Sequence, residues 1–271
     1  MEKSKNSNQY NISEKKSLPT KETLSVTFLG TGTSTGIPQI GCSCPVCQSD
    51  NPKDKRLRSS VFVQTNGVHI LIDAGPDLRQ QLLTHKVDSL DGILITHEHY
   101  DHLGGIDDVR PLGETTIFCE QNVADVIYRT MHYCFTEKRY PGVPKIEINV
   151  IGDNNFYFKG IEIIPIRILH AKLPIVGYRI GDFAYLTDVK TIPESSFDKL
   201  NGLKLLIISA LRKEPHIAHL NIEEAIEISK RIDADTTYFT HFSHHLGFHN
   251  IENKLLPKNI RLAYDNLTIN M

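Results

Sequence analysis

An α/β fold of two packed sheets with helices on the outside is the architecture this chain predicts. Three observations carry it. Short apolar runs of strand length recur in both halves of the 271 residues, runs with helical spacing follow them in each half, and turn residues such as Asn66-Gly67 separate them. No repeat of fixed short period and no internal linker breaks the alternation. One domain is therefore expected from residue 23 to residue 271, preceded by a polar arm over residues 1–22.

The first strand is LSVTFLG (Leu24–Gly30), running into the Gly- and Thr-rich turn GTGTSTGIP. SVFVQT and VHILIDAG are two strands around Asn66-Gly67, a pair that accepts the conformation a tight hairpin needs. PDLRQQLLTHK predicts a helix, with Pro76 at its start and Leu78, Leu82 and Leu83 at helical spacing. DGILIT is a short buried strand that delivers the segment THEHYDH at its C-terminal end, and TTIFC is the next strand. QNVADVIYRTMHYCF reads as a helix with Val123, Val126, Ile127 and Met131 on one face. KIEINVI, NFYFKG, IEIIPIRILH, IVGYRIG and FAYLTD read as successive strands. KLLIISAL is a strand, NIEEAIEISKRID a helix with Asn221 as its N-cap, and TTYFTH a further strand.

Composition bounds the function. A hydrophobic content of 40% and a charged content of 23% are those of a soluble globular protein, and the net charge of −2 gives no global attraction to nucleic acid or to an anionic membrane. No apolar run is long enough to span a bilayer. MEKSKNSNQYNISEKKSLPTKE contains no apolar core segment, so it reads as a polar arm rather than a secretory signal, and a cytoplasmic location is expected. Five cysteines in such a chain, three of them clustered, suit metal binding better than a disulfide framework.

His97, His99 and His102 fall with Glu98 and Asp101 inside THEHYDH. In extended backbone His97 and His99 face the same side. Neutral imidazole is a good ligand for zinc, iron and manganese, and carboxylates suit harder divalent ions, so a metal would relieve the crowding of these groups. Further ligands should lie at other strand ends. His170 ends IEIIPIRILH, Asp188 ends FAYLTD and His241 follows TTYFT.

A second cluster lies in GCSCPVCQSD, where Cys42, Cys44 and Cys47 supply three thiolates close enough to share one ion. A closed zinc shell wants a fourth ligand, and THFSHH offers His244 and His245, whereas Cys119 and Cys134 read as small core residues. A redox-active CxxC is the rival reading of this cluster.

In this order, HxHxDH, His, Asp and His resemble the signature of the metallo-β-lactamase superfamily of hydrolases, and LIDAG resembles its first motif. The resemblance covers nearly everything after residue 23 and implies an αββα sandwich, a four-layer α/β arrangement, with metals at one edge of the two sheets. It implies one divalent ion on His97, His99 and His170, a second on Asp101, His102 and His241, and Asp188 bridging both. Asp73 would organise the metal loop. Hydroxide formed from water at the paired ions would be the nucleophile. The bridging aspartate tells against a β-lactamase. CxCxxC after LGTGTSTGIPQIG, together with THFSH, is similar to the PhnP-like branch. That branch implies a structural zinc on Cys42, Cys44, Cys47 and His244, with His245 left over. It also implies His219, two residues before Asn221, as general acid, so that the catalytic set is His219, Asp188 and Asp101.

The expected activity is metal-dependent hydrolysis of a small phosphodiester, for which the resemblance suggests a ribosyl cyclic phosphate, with manganese, zinc or iron as the active-site metals. Relatives in this branch can be homodimers, but no surface of this sequence is marked out for one. Lys172 reads equally as a phosphate contact and as a solvated side chain. The alternative activity is that of a tRNA 3′-processing nuclease, which shares the metal set and the LGTGT start. The near-neutral charge and the short loop EKRYPGVPK argue against nucleic acid as partner. A non-catalytic metal-binding protein and a thioesterase are the remaining rivals.

Overall fold

A computed structural model describes residues 24–138 and 141–271. The expected arm over residues 1–22, and Arg139 and Tyr140 of the EKRYPGVPK loop, lie outside the described residues.

In chain order the strands are β1 (Leu24–Gly30), β2 (Ser60–Thr65), β3 (Val68–Ile72), β4 (Gly92–Leu94), β5 (Glu114–Cys119), β6 (Lys145–Val150) and β7 (Phe156–Phe158). They continue as β8 (Ile161–His170), β9 (Leu173–Ile180), β10 (Phe183–Leu186), β11 (Leu205–Ser209), β12 (Thr236–Thr240), β13 (Ile260–Leu262) and β14 (Thr268–Asn270). The α-helices are α1 (Leu78–His85), α2 (Tyr100–Leu103), α3 (Gln121–Thr130), α4 (Glu194–Phe197), α5 (Ile222–Ile232) and α6 (His249–Glu252).

The strands form two seven-stranded sheets, ordered β14-β1-β2-β3-β4-β5-β6 and β13-β12-β11-β10-β9-β8-β7. Both are mixed. The first runs antiparallel from β14 to β3 and parallel from β3 to β6, and the second runs antiparallel from β7 to β10 and parallel from β10 to β13.

Alternation along the strands sorts the side chains into layers. Val26, Phe28, Val61, Val63, Ile70, Ile72 and Leu94 of the first sheet meet Val176, Tyr178, Tyr185, Leu205 and Ile207 of the second in one buried cluster. Their neighbours point the other way. Phe62, Leu71 and Ile93 pack with Leu78 and Leu82 of α1 and with Val123 and Ile127 of α3. Leu206 and Ile208 pack with Ala225 and Ile232 of α5. The result is an αββα sandwich, the α/β architecture expected.

Several details differ from the sequence reading. The helix expected to run to Phe135 stops at Thr130, because Met131 leaves helical geometry and a short 3₁₀ turn follows over His132–Cys134. The break directs the Tyr133 hydroxyl onto Asp107 at 2.6 Å. Pro76 lies before the N-cap Asp77 rather than inside α1, and Leu83 of that helix is 62% exposed, so the buried face is narrower than the spacing implied. Strands β13 and β14 were not foreseen; each has three residues, too few for a period-two pattern to register.

Candidate metal centre

Strand polarity gathers the polar residues. His170 ends β8, Asp188 lies just past β10 and His241 just past β12, while His97, His99, Asp101 and His102 follow β4 on a turn and the short α2. All lie beyond carboxyl ends of strands, where side chains from several strands of an α/β sheet can converge. Three residues turn sharply out of their strands in left-handed backbone conformation: Asp73 (φ 66°), Asp188 (φ 54°) and His241 (φ 62°). Each such residue costs on the order of 1–3 kcal/mol and persists only where surroundings hold it. Here they do. Asp73 N–H donates to Leu94 O (2.9 Å), Val189 N–H donates to Ser209 Oγ (3.1 Å), and Phe242 is tied on both sides to Thr31 and Thr33 by 2.9 Å backbone bonds. The Arg56 guanidinium lies 4.4 Å over the Phe242 ring. The LGTGT segment therefore clamps the residue that follows His241.

The cluster centres on Asp188. Its Oδ2 lies 3.7 Å from His97 Nε2, and its Oδ1 lies 3.4 Å from His102 Nε2 and 3.0 Å from His241 Nε2. Asp101 Oδ2 lies 3.2 Å from His102 Nε2 and 3.7 Å from His241 Nε2. His99 is exposed, with its Nδ1 3.0 Å from His97 Nε2. Two ligands sharing a tetrahedral zinc at ~2.05 Å stand about 3.3 Å apart, so these separations are those of groups facing a common ion. Asp101, His102, Asp188 and His241 form one set that could hold a metal ion; His97, His99 and Asp188 form a second; His170, Asp188 and His219 form a third.

The histidines are held from behind. His102 Nδ1 donates to Asp73 Oδ2 at 2.7 Å, and the fully buried Asp73 also accepts from Thr96 N (2.9 Å) and Thr96 Oγ1 (3.0 Å). Thr96 Oγ1 in turn lies 3.0 Å from His97 Nδ1. His170 Nδ1 faces the carbonyls of Asp188 and Ala218, both at 3.0 Å, so it is a donor there and Nε2 is the ring's free ligand atom. Such partners set the tautomer and aim the other nitrogen. Asp73 thus has the supporting role expected of it. Thr96 was missed, although it directly precedes the histidine motif. Backbone packing beneath the loop is equally tight. A Cβ on Gly75 would lie 2.1 Å from Asp101 O, and one on Gly105 would lie 2.0 Å from Gly75 O.

The charges of the cluster oppose one another. Burial would raise Asp188, but His241 and His102 outweigh it and hold the carboxyl well below its usual range. Burial would lower His102 and His241, but Asp73 and Asp188 raise the first well above normal and Asp188 raises the second to about 9. His97 goes the other way, lowered by burial and by His102. The same carboxylates that favour the charged imidazoles would favour a divalent ion in their place. His102 Nε2, both ring nitrogens of His241 and Nδ1 of His219 are buried without a hydrogen-bond partner. Imidazole nitrogens left without a partner beside carboxylates fit a divalent metal ion.

His219 is buried and sits between two of these rings, its centroid 4.6 Å from that of His170 and 5.1 Å from that of His241. Burial, then His241, push its pKa down to about 3. His216 lies 5.0 Å from it, ring to ring, and accepts from Ala218 N at 3.2 Å. Lys172 is exposed in the turn between β8 and β9, next to His170.

The cysteine cluster also assembles. His244 Nδ1 lies 3.2 Å from Cys42 Sγ, 3.7 Å from Cys44 Sγ and 3.2 Å from Cys47 Sγ. The S···N separation across a tetrahedral zinc is about 3.6 Å, so these four could hold one. His245, left without a role by the sequence, has its Nε2 3.0 Å from His244 Nε2, where it orients the ring from outside.

A divalent-metal site at one edge of an αββα sandwich defines the class. A family model described as "Beta-lactamase superfamily domain" matches residues 69–242. The chain belongs to the metallo-β-lactamase superfamily and is a PhnP-like member of it. It is similar to a solved structure described as a new diphosphatase from the PhnP family, with 38% identity and a TM-score of 0.87 over 92% of this chain and 97% of that one. Zinc-bound PqqB from Methylobacterium extorquens shares the fold at 18% identity and a TM-score of 0.76, covering 90% of this chain and 99% of the other. A curated relative from Porphyromonas gingivalis, named "Octanoyltransferase", is 43% identical over 246 residues, which are 89% of this chain; the chain spans 50% of that relative. Among the described residues, no helix is long and apolar enough to cross a membrane.

Proposed function

We propose that the chain is a dinuclear phosphodiesterase acting on small phosphodiesters, with a ribosyl cyclic phosphate among its candidate substrates. His97, His99 and His170 would hold one divalent ion and Asp101, His102 and His241 the other, with Asp188 shared between the two sets. Zinc, manganese and iron all suit these donors. Bound there, such ions supply Lewis acidity to phosphoryl oxygens and acidify water. Cys42, Cys44, Cys47 and His244 would hold a structural zinc, which would fasten the segment carrying His241. A single observation carries the reading: the two oxygens of Asp188 face different imidazole sets, Oδ2 toward His97 and Oδ1 toward His102 and His241.

The chain's own residues then divide the work. Asp73 and Thr96 orient His102 and His97. His219 stands at the edge of the cluster and passes a proton to the leaving oxygen. Burial and His241 hold its pKa down to about 3, and an anionic phosphodiester in contact would raise it. The acyl transfer named for the P. gingivalis relative is said of a protein of which this chain spans 50%.

The test is a panel of diesters and a precursor tRNA, each assayed with zinc, manganese and iron. Metal-dependent hydrolysis of bis-p-nitrophenyl phosphate and small diesters, faster than tRNA cleavage, is the expected outcome. Faster cleavage of the precursor tRNA would replace this reading with the tRNA-processing one.

A further inference from the structure

Asp188 and His219 sit on different segments. Asp188 follows β10, and His219 lies in the connection between β11 and α5. No strand register fixes one against the other. Backbone contacts supply part of the link. Leu220 N–H donates to Val189 O at 2.9 Å, and the His170 ring meets both Asp188 O and Ala218 O.

One side-chain contact completes it. Lys190, two residues past Asp188, places Nζ 2.8 Å and 2.9 Å from the two carboxylate oxygens of Glu224. Glu224 Oε2 also accepts from Asn221 N at 2.9 Å, while Asn221 Oδ1 accepts from Glu224 N at 2.9 Å, the reciprocal capping box of α5. Asn221 is two residues past His219. The lysine therefore grips the cap of the helix that His219 precedes.

The cap closes without the lysine, because both of its bonds lie within the segment 221–224. The Lys190–Glu224 pair is also partly exposed, at 23% and 39% of the side chains, and surface ion pairs of this kind add little to stability. What the contact does is join the Asp188 segment to the His219 segment. Misplacing a reacting group by about 1 Å can slow a reaction by roughly 10²-fold.

We propose that Lys190 is a positioning residue for the reaction, setting His219 against Asp188 through Glu224. The proposal rests on the reading of His219 as the proton donor.

The experiment uses the full chain loaded with metal and compares K190M, K190R, E224Q, the K190M/E224Q double variant and H219A. E224Q keeps an acceptor for Asn221 N–H and removes the charge that Lys190 meets. Metal content, melting temperature and kcat are measured for diesters whose leaving groups rise in pKa. K190M is expected to keep its metals and its melting temperature. It should slow poor leaving groups by about 10- to 100-fold and p-nitrophenolate much less. K190R should restore most of the loss, and the double variant should be no slower than K190M. Wild-type kcat across the series in K190M, an equal loss for every leaving group, or additive losses in the double variant would overturn the proposal. H219A separates the two levels. A flat series there overturns the proton-donor reading and the proposal together, whereas a steep series in H219A with a flat one in K190M overturns the proposal alone.

Discussion

Asp73→Asn changes one atom in a fully buried group and should disable the metal loop. The carboxylate accepts Thr96 N at 2.9 Å, Thr96 Oγ1 at 3.0 Å and His102 Nδ1 at 2.7 Å. If the asparagine oxygen keeps Thr96, its amide N–H₂ faces His102 Nδ1. That nitrogen must then accept, and the ring proton moves to Nε2, which faces Asp101 at 3.2 Å and Asp188 at 3.4 Å. A protonated Nε2 cannot hold an ion. If the amide flips instead, a buried Thr96 N–H meets another donor and goes unpaired, at a cost of about 1–3 kcal/mol. Metal affinity should fall by about 10–100-fold, the usual effect of losing an orienting partner. The flipped arrangement would lower the melting temperature of the apo protein by roughly 2–12 °C. Calorimetric titration of the chelator-treated protein with zinc or manganese, and melts of the apo form, read both quantities. Wild-type affinity together with a wild-type apo melt would refute the tautomer argument.

Four further outcomes are expected. Asp188→Ala should lose most turnover and part of the bound metal, and a variant with wild-type metal content and activity would remove the bridging role. Cys44→Ser should release about one zinc per chain and lower the melting temperature; a loss of only ~3 kcal/mol corresponds to roughly 6–12 °C, and unchanged zinc with an unchanged melt would count against a structural site. His219→Ala should keep its metals yet slow poor leaving groups by about 10²–10⁴-fold, whereas loss of a metal would make His219 a ligand. His249, buried with Nδ1 3.0 Å from Arg56 Nη2, is lowered by burial and by Arg56 from 6.5 to about 4. Its folded pKa lies below the unfolded one, so its contribution is complete above about pH 6.5 and is lost as the pH falls toward 4, up to about 3 kcal/mol. His249→Asn should flatten that part of the stability–pH curve between pH 7 and 4.5 in urea melts, and parallel curves would refute the assignment.

Chemistry was legible along the chain wherever it was concentrated locally. THEHYDH and GCSCPVCQSD crowd their ligand types into a few positions, and His170, Asp188 and His241 stand out because each ends an apolar strand. Alternation in VHILI and LLIIS, and the cap at Asn221, made the layers and α5 readable, because periodicity and capping are local properties of the backbone. Elements too short to have a period, β13 and β14, left no such signal, and neither did the break at Met131, where Tyr133 turns toward Asp107.

Tertiary structure alone decided which residues support the site. Thr96 and His245 adjoin motifs that show ligands but not which neighbour supports them, whereas Lys190, which meets Glu224, is a single polar residue with nothing in its own sequence context to mark it. The same holds for the left-handed backbone at Asp188 and His241. The Lys190–Glu224 contact joins segments far apart in the chain. A sequence shows which residues could bind or carry charge, but hydrogen bonds across 18 residues, as from His170 to Asp188, or across 34, as from Lys190 to Glu224, exist only once the second sheet has assembled and brought its strand ends and α5 together.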